Sequence, residues 1–328
     1  MGKKLHLTLS CGDYEIARPL IEGLVVPEGI ELTILSSNGA RDRQWRLGRN
    51  AECDVGELNA CAYFMARERE HPYVALPVFP HRRFRHGFIF INANKGITKP
   101  TDLSGRRIGI ESGFQPAAAV WQRGILSDEY GVMQNDIIWV TDRDEDIPFD
   151  APPGLRIERV AAGTLDGMLV TGEIDGLLSP SFPPSILAGD VNVRRLIPDE
   201  KEVEQAYYKK TGIFPIMHLV VIRKDIIERY PWVAPNLAFA FNESKRLAYQ
   251  RVQNPRVVPL AWFSTAWEEQ KAFFKHDPWE YGLTQRNTRN IGTLIRYCHE
   301  QGLIKKNVEP IDSFVKISEE ALQGTSRF

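Results

Sequence analysis

The chain has 328 residues, enough for two ordinary domains or one large α/β unit, and its composition is that of a globular protein. Its 41 basic and 42 acidic residues leave a net charge of -1. That balance excludes any general electrostatic reason to expect a nucleic acid or a membrane surface as partner. No apolar run approaches the roughly 18 residues that span a bilayer.

The N-terminal segment has two interpretations. Two lysines precede the apolar stretch Leu5–Ser10, which ends next to Cys11 and superficially looks like an export signal. The stretch is shorter than the roughly 7–15 apolar residues of such a signal, and it contains His6. Alternation of Leu5, Leu7 and Leu9 with polar residues favours a first β-strand instead. We therefore expect a cytoplasmic protein.

Strand and helix patterns alternate through the first part of the chain. Predicted strands lie near residues 5–10, 30–35 and 54–58, and predicted helices near 13–22, 41–48 and 63–65. This order indicates a largely parallel sheet, whose ligands bind at the carboxyl ends of the strands.

A second unit follows, and the chain then returns to the first. Further strands are predicted near 74–79, 87–92, 107–110, 137–140 and 216–222, with helices near 114–126, 164–171 and 237–248. We predict that lobe 1 comprises residues 1–95 plus 217–328 with the C-terminal helices, and that lobe 2 comprises 96–216. Two crossings between lobes make a hinge that can close over a ligand.

The segment His81-Arg82-Arg83-Phe84-Arg85-His86-Gly87 is strongly basic and leads to the predicted crossing. Arginine binds carboxylates through its planar fork, and histidine carries a proton near neutral pH. The segment is either a solvated surface loop or an anion clamp in the cleft. In the second case, Arg82, Arg85 and His86 are candidate site residues.

Two other segments offer anion-binding groups. Arg41 and Arg43 begin a predicted helix, which is either an exposed basic face or a second clamp. Ser112, Gly113 and Phe114 lie between a strand and a helix, where free backbone N–H groups bind anions. A serine at that position also caps ordinary helices, so this pattern leaves both interpretations open.

His218 lies in an otherwise apolar strand. It is either a core histidine or, because this strand is the predicted return crossing, a residue of the cleft. No spacing of histidines, cysteines or acids matches a transition-metal motif, and no phosphate-binding loop is present.

Several segments together resemble the 4,5-dihydroxyphthalate decarboxylase family. The matching segments are Phe84-Arg85-His86-Gly87, Pro100-Thr101-Asp102-Leu103-Ser104-Gly105, Trp121-Gln122-Arg123-Gly124-Ile125-Leu126, Ile213-Phe214-Pro215-Ile216-Met217-His218 and Tyr230-Pro231-Trp232-Val233. The similarity runs from about residue 5 to about 320. The chain departs from the family at Ser112–Ala117, where a proline or glutamate followed by Tyr-x-x-Thr-Ala is expected.

This resemblance implies a fold of two α/β lobes with a ligand cleft between them, like periplasmic binding proteins of type II. It also implies phthalate degradation, in which 4,5-dihydroxyphthalate loses CO2 to give protocatechuate. His86 or His218 would then supply the proton, while Arg41, Arg43, Arg82 and Arg85 would hold the substrate carboxylates.

The resemblance implies no organic cofactor, since the aromatic ring can act as its own electron sink, and it leaves a divalent metal open. The expected partner is a small aromatic dicarboxylate, with no nucleic acid or membrane, and we expect a homo-oligomer. Two alternatives are a non-catalytic receptor for an aromatic or other carboxylate and a decarboxylase for another hydroxyaromatic acid.

Overall fold

The computed structural model describes residues 4–36, 39–69, 71–145, 147–148, 150–318 and 322, without the side chains of residues 40 and 41. The strands are β1 Leu5–Ser10, β2 Ile30–Leu35, β3 Val55–Asn59, β4 Tyr73–Arg82, β5 Ile89–Asn92, β6 Arg107–Ile110, β7 Ile138–Thr141, β8 Arg156–Arg159, β9 Gly176–Leu178, β10 Val193–Arg195 and β11 Ile216–Arg223. The helices are α1 Arg18–Ile21, α2 Ala40–Asn50, α3 Ala60–Arg67, α4 Ala117–Tyr130, α5 Leu165–Thr171, α6 Pro184–Ala188, α7 Glu200–Thr211, α8 Lys224–Arg229, α9 Val233–Val252, α10 Phe263–Phe274 and α11 Gln285–Glu300.

The first sheet has the strand order β2-β1-β3-β11-β4. β1 pairs in parallel with β2 and β3, and β11 runs antiparallel between β3 and β4. Apolar and polar residues alternate along β1 as predicted: Leu7 and Leu9 are buried, whereas His6 is exposed. The predicted bounds of β1 and β2 agree with the structure.

The second sheet has the order β10-β5-β9-β6-β7-β8. β5 belongs to it and runs antiparallel to β9 and β10. The chain therefore passes between the sheets at residues 83–88, upstream of the predicted lobe boundary at 95/96. The turn and cap residues near 97–105, on which that boundary was based, form a short 3-10 helix inside the second unit instead.

Helix α4 links the two units by packing. Its residues from Ala117 to Leu126 are all buried, and Trp121 Nε1 donates to the Ile216 carbonyl of β11 at 2.9 Å. Gly124 allows Tyr297 of α11 to approach so closely that a Cβ there would lie 2.3 Å from the ring. This close packing against β11 and α11 makes α4 a rigid contact between the two units.

One predicted helix is shorter than expected. The sequence indicates a helix from about Asp13, whereas α1 begins at Arg18 with Ala17 as its N-cap. Pro19 occupies the first turn, the helical position that tolerates a residue without an N–H. The residues before it form turns and carry Tyr14 toward the space between the sheets.

No helix formed by the described ranges is both long and apolar enough to cross a membrane. The four cysteines are free thiols, and each is buried.

Candidate active site

A cavity of about 290 Å³ lies between the two sheets. We call it the central cavity. Its first-sheet face is formed by Tyr14, Gln44, Asn59, His81, Arg85, Met217 and His218. Its second-sheet face is formed by Ser112, Pro116, Ala118, Arg143, Asp144, Glu145 and Pro180.

Strand order explains this position. Tyr14 follows the carboxyl end of β1, Asn59 ends β3, Ser112 follows β6 and Pro180 follows β9. Parallel strands end at a common edge, and ligands of open α/β sheets bind there. The cavity thus lies where the alternating pattern of the sequence predicts a ligand.

The most polar part of the cavity wall is a cluster around a buried carboxylate. Glu57 lies on β3 and contacts His218 Nδ1 through Oε1 in a hydrogen bond that is also an ion pair. The Tyr14 hydroxyl donates to the same oxygen at 2.5 Å, and the Gly12 N–H donates to Oε2 at 2.6 Å. Arg43 Nη2 lies 3.6 Å from Oε2. Both carboxylate oxygens are therefore satisfied, and the group is fixed in position.

These contacts keep Glu57 ionised. Burial by itself would raise its pKa, but the charge and hydrogen bond of His218, together with Tyr14 and Arg43, lower the pKa to about 2. The same burial and the neighbouring negative charge raise the pKa of Tyr14 far above its usual range. Tyr14 is thus a neutral hydrogen-bond donor, and Glu57 is a fixed negative charge beside His218.

The contact with Glu57 orients the His218 ring. Because Nδ1 faces the carboxylate, Nε2 is the nitrogen left for other partners, and Gln44 Nε2 lies 3.3 Å from it. In register, His218 is opposite Asn59 on one side and His81 on the other, and the pairing with β4 is irregular around it. Such irregularities redirect side chains near functional sites.

His81 completes the imidazole pair. Its ring centroid lies 4.7 Å from that of His218 in an edge contact, and its ring stacks on Tyr14. Burial and the neighbouring His218 lower the pKa of His81 to about 2. His81 is therefore neutral and adds no positive charge next to His218.

Arg85 is the main cationic group of the cavity wall. Its guanidinium donates to the Pro180 carbonyl at 3.0 Å and to the Met217 sulfur at 2.9 Å. Among the described residues, no carboxylate comes within 4 Å of it, although only 2% of Arg85 is exposed. Burial and then Arg83 lower the pKa of Arg85 to about 9, so it remains charged at neutral pH. A buried guanidinium without a carboxylate is suited to an anionic ligand.

The second-sheet face carries a carboxylate on backbone amides. Phe114 N–H donates to Glu145 Oε1 at 2.5 Å, and Gln115 N–H donates to Oε2 at 3.0 Å. Ser112 lines the cavity beside this contact. Of the predicted residues 112–114, Phe114 donates its backbone N–H to a carboxylate, which is the protein's own Glu145, while binding of a ligand there stays a prediction.

Other predicted site residues lie outside the cavity wall. Arg82 donates to the Glu280 carbonyl and to Asn287 Oδ1, on the far side of β4. His86 is buried against Tyr207, and burial lowers its pKa to about 4. Neighbouring side chains of an extended strand point to opposite faces, which separates Arg82 from His81.

Three further predicted residues either act on the cavity through another group or have a side chain outside the described part of the chain. Arg43 supports Glu57 rather than lining the cavity. The Phe114 ring is buried beneath the Arg123 guanidinium, so only its backbone N–H serves the cavity face. Arg41 falls in α2, but its side chain is outside the described part of the chain.

Sequence reasoning missed several residues of the first-sheet face, chiefly Tyr14, Gln44, Glu57 and Asn59. An acid within a predicted buried strand was the available signal for Glu57. Asn59 caps α3 by accepting from Cys61 N–H and also accepts from Ala117 N–H at 3.1 Å, so its Oδ1 connects the two lobes. No periodic pattern indicates a contact of that kind.

Within the described ranges, no group of three or more histidine, cysteine, aspartate or glutamate side chains is arranged to hold a metal ion.

Two of the solved structures with this architecture are sulfonate-binding proteins. The sulfonate-binding protein SsuA of Methylobacillus flagellatus has a TM-score of 0.61 at 13% identity, and covers 99% of this chain and 97% of its own. The aliphatic sulphonate binding protein SsuA of Escherichia coli has a TM-score of 0.59 at 13% identity, with 94% and 97% covered. The predicted two-lobed fold of periplasmic-binding-protein type is thereby confirmed.

No family model matches the chain. Two curated relatives do, and both are called 4,5-dihydroxyphthalate decarboxylase. The one from Comamonas testosteroni is 32% identical over 330 aligned positions, covering 98% of this chain and 99% of the relative. The one from Pseudomonas putida is 33% identical over 214, covering 63% of this chain and 82% of the relative. With that identity over its whole length, the chain belongs to the 4,5-dihydroxyphthalate decarboxylase family.

Proposed function

We propose that this protein is a carboxy-lyase that removes one carboxylate from a hydroxylated aromatic dicarboxylate, namely 4,5-dihydroxyphthalate, and releases protocatechuate and CO2. One observation carries the proposal: His218, held by Glu57, lines the same cavity as Arg85, which has no carboxylate within 4 Å among the described residues. The first is suited to proton transfer and the second to binding a carboxylate. The names of the relatives support the same reaction.

The reaction needs a proton at the carbon that bears the leaving carboxylate. That carbon is para to a phenol oxygen, so loss of the phenol proton to solvent increases the electron density there, and a solvent proton returns to this oxygen after CO2 has left. A new C–H bond forms with the proton from His218 Nε2. The C–C bond then breaks, its electron pair returns to the ring, and CO2 leaves. His218 regains its proton from solvent, so one proton is consumed in each turnover.

Glu57 and Tyr14 prepare His218 for this step. The carboxylate holds the Nδ1 side of the ring, so that Nε2, the nitrogen that delivers the proton, faces away from Glu57. Tyr14 holds the carboxylate oxygen that contacts His218. An imidazole fixed by a carboxylate acts as a general acid with a defined direction of transfer.

Arg85 provides the binding site for the first carboxylate of the substrate. Its Nη and Nε groups are presented to the cavity by Pro180 and Met217, neither of which neutralises its charge. A substrate carboxylate can therefore replace weak sulfur contacts with charge-assisted hydrogen bonds. Gln44 and Asn59 are further amide side chains in the wall that can hydrogen-bond the phenol groups.

The ring itself takes up the electrons, so the proposed reaction needs no organic cofactor. Dialysis of the purified protein against a strong chelator tests whether it needs a metal. We expect turnover to be retained, and loss of turnover with recovery on adding one divalent cation would contradict this part of the proposal.

The decisive experiment is incubation of the purified protein with 4,5-dihydroxyphthalate, followed by chromatography for protocatechuate and measurement of CO2. We expect equal amounts of both products. A protein that binds the diacid without releasing CO2 would be a receptor, as the SsuA sulfonate-binding proteins are. Turnover of other hydroxyaromatic acids in preference to this one would instead reassign the substrate.

A further inference from the structure

The carboxylate of Glu145 occupies a position in the central cavity that a ligand carboxylate would fit. Its two oxygens accept separate hydrogen bonds from the consecutive N–H groups of Phe114 and Gln115, at 2.5 and 3.0 Å. Gly113 has a φ of +86°, and a Cβ on it would lie 3.2 Å from Glu145 Oε1. Adjacent amides in such a turn form a concave site that binds anions.

Glu145 reaches this site from the loop that joins β7 to β8. Two hydrogen bonds between the Gln115 side chain and the backbone of Ile147 dock the loop against the second unit. The loop residues that the structure describes from 143 to 148 are half-buried or exposed, and the neighbouring Asp144 side chain is 97% exposed and paired with Arg159. The Glu145 carboxylate can therefore leave the amides without any opening of the core.

The other wall of the cavity supplies an independent indication of an anionic ligand. Arg85 is buried and, among the described residues, has no carboxylate within 4 Å. The Arg85 guanidinium and the amide pair are thus both suited to carboxylates. Of these two groups, the amide pair holds one in this structure.

We propose that Glu145 is an internal substitute for the second carboxylate of a dicarboxylate ligand. It fills the Phe114–Gln115 amide pair in the ligand-free protein and is displaced when the diacid binds with its other carboxylate on Arg85. The proposal rests on the proposed function for the class of ligand, an aromatic compound with two adjacent carboxylates. A monocarboxylate uses Arg85 alone and leaves Glu145 in place.

The exchange has a consequence for the catalytic cycle. One carboxylate–amide contact replaces another, so the diacid gains little net free energy from the amide pair. After one carboxylate has left as CO2, the monoacid product can hold only one of the two groups. The return of Glu145 to the amides then accompanies product release.

Binding measurements on three proteins test this inference: wild type, Glu145→Gln and the matched control Asp150→Asn, which changes an exposed carboxylate of the same loop outside the cavity wall. Calorimetry with phthalate and with benzoate gives each affinity without turnover. Because a neutral amide binds the backbone pair more weakly than a carboxylate does, we expect Glu145→Gln to bind phthalate about tenfold more tightly. Benzoate affinity should change by less than about twofold, and Asp150→Asn should change neither affinity by more than that.

Several outcomes would overturn the proposal. Unchanged or weaker phthalate binding by Glu145→Gln contradicts it, and so does an equal gain for benzoate, which would indicate general charge repulsion. If neither wild type nor Glu145→Gln binds phthalate, the proposed class of ligand is wrong.

Hydrogen exchange in the ligand-free protein gives a second measurement. The amides of Phe114 and Gln115 should exchange faster in Glu145→Ala than in wild type. Equal rates would contradict the proposal that Glu145 occupies these amides in the ligand-free protein. Failure of the proposed function is a separate result, because wild type would then bind phthalate but release no CO2 from 4,5-dihydroxyphthalate.

Discussion

The two faces of the central cavity are built differently. The first-sheet face presents charged and titratable side chains from strands, with Glu57 buried and His218 fixed against it. The second-sheet face presents backbone amides and a largely exposed loop that carries Glu145. Proton transfer needs groups held within a fraction of an ångström, whereas ligand entry needs a part that moves. Under the proposed function, the first-sheet face carries out the proton transfer and the second-sheet face admits the ligand.

The largest expected effect comes from removing the proton donor of the first-sheet face. His218→Gln should lower kcat by about 10²- to 10⁴-fold, the usual contribution of a general acid, while phthalate still binds. His86→Gln is the matched control, because His86 lies outside the cavity wall, and its kcat should stay close to that of wild type. Steady-state kinetics and a binding assay on the two variants check this prediction. A large loss of kcat in His86→Gln with little loss in His218→Gln would indicate that His86 is the proton donor.

The next effect concerns stability in acid. Glu57 has a lowered pKa in the folded protein, so its stabilising contribution is complete above pH about 4.5 and is lost as the pH falls toward about 2. That contribution is on the order of 3 kcal/mol. Denaturant unfolding of wild type and Glu57→Gln should differ most near neutral pH and converge in acid. A constant difference across this range would show that Glu57 is not the group responsible.

A smaller effect is expected for the two buried arginines, whose replacement should change different properties: substrate binding for Arg85 and stability for Arg82. Arg85→Met should raise KM for the diacid by about tenfold to hundredfold, since charge-assisted hydrogen bonds are each worth about 1.5–3 kcal/mol. Arg82→Met should instead lower the midpoint of thermal unfolding, because it leaves Asn287 Oδ1 without its donor. Kinetics and calorimetry on both variants check the separation. A large rise in KM for Arg82→Met would contradict it.

The smallest effect is expected on the second-sheet face. Gly113→Ala places a side chain at a positive φ and should lower the free energy of unfolding by about 1–2 kcal/mol, with kcat nearly unchanged. Gly167→Ala in α5 is the control, because a Cβ there meets no atom within 4 Å and alanine favours helix. Chemical denaturation and kcat measurements check both. A collapse of kcat in Gly113→Ala would show that this face also takes part in the chemistry.

The sequence predicted the strands and the alternating order well, because burial imposes a period of two on strands such as β1. It placed the first crossing too late, since β5 is only four residues long and its sheet partners lie far along the chain. It selected His218 and Arg85 from composition and resemblance. It also selected Arg82 and His86, because a basic segment does not show which of its side chains face the cavity.

The amino-acid sequence by itself determined the alternating α/β order, the carboxyl-end location of the site and the family. These depend on local periodicity and on motifs that are contiguous in the chain. Only the tertiary structure decided that Glu57, Tyr14 and His218 form one hydrogen-bonded cluster, and that Glu145 fills the amide pair. His218 lies 161 residues from Glu57, and Glu145 lies about 30 residues from its amides. Contacts over such separations follow from strand order and loop docking, which leave no periodic trace in the sequence.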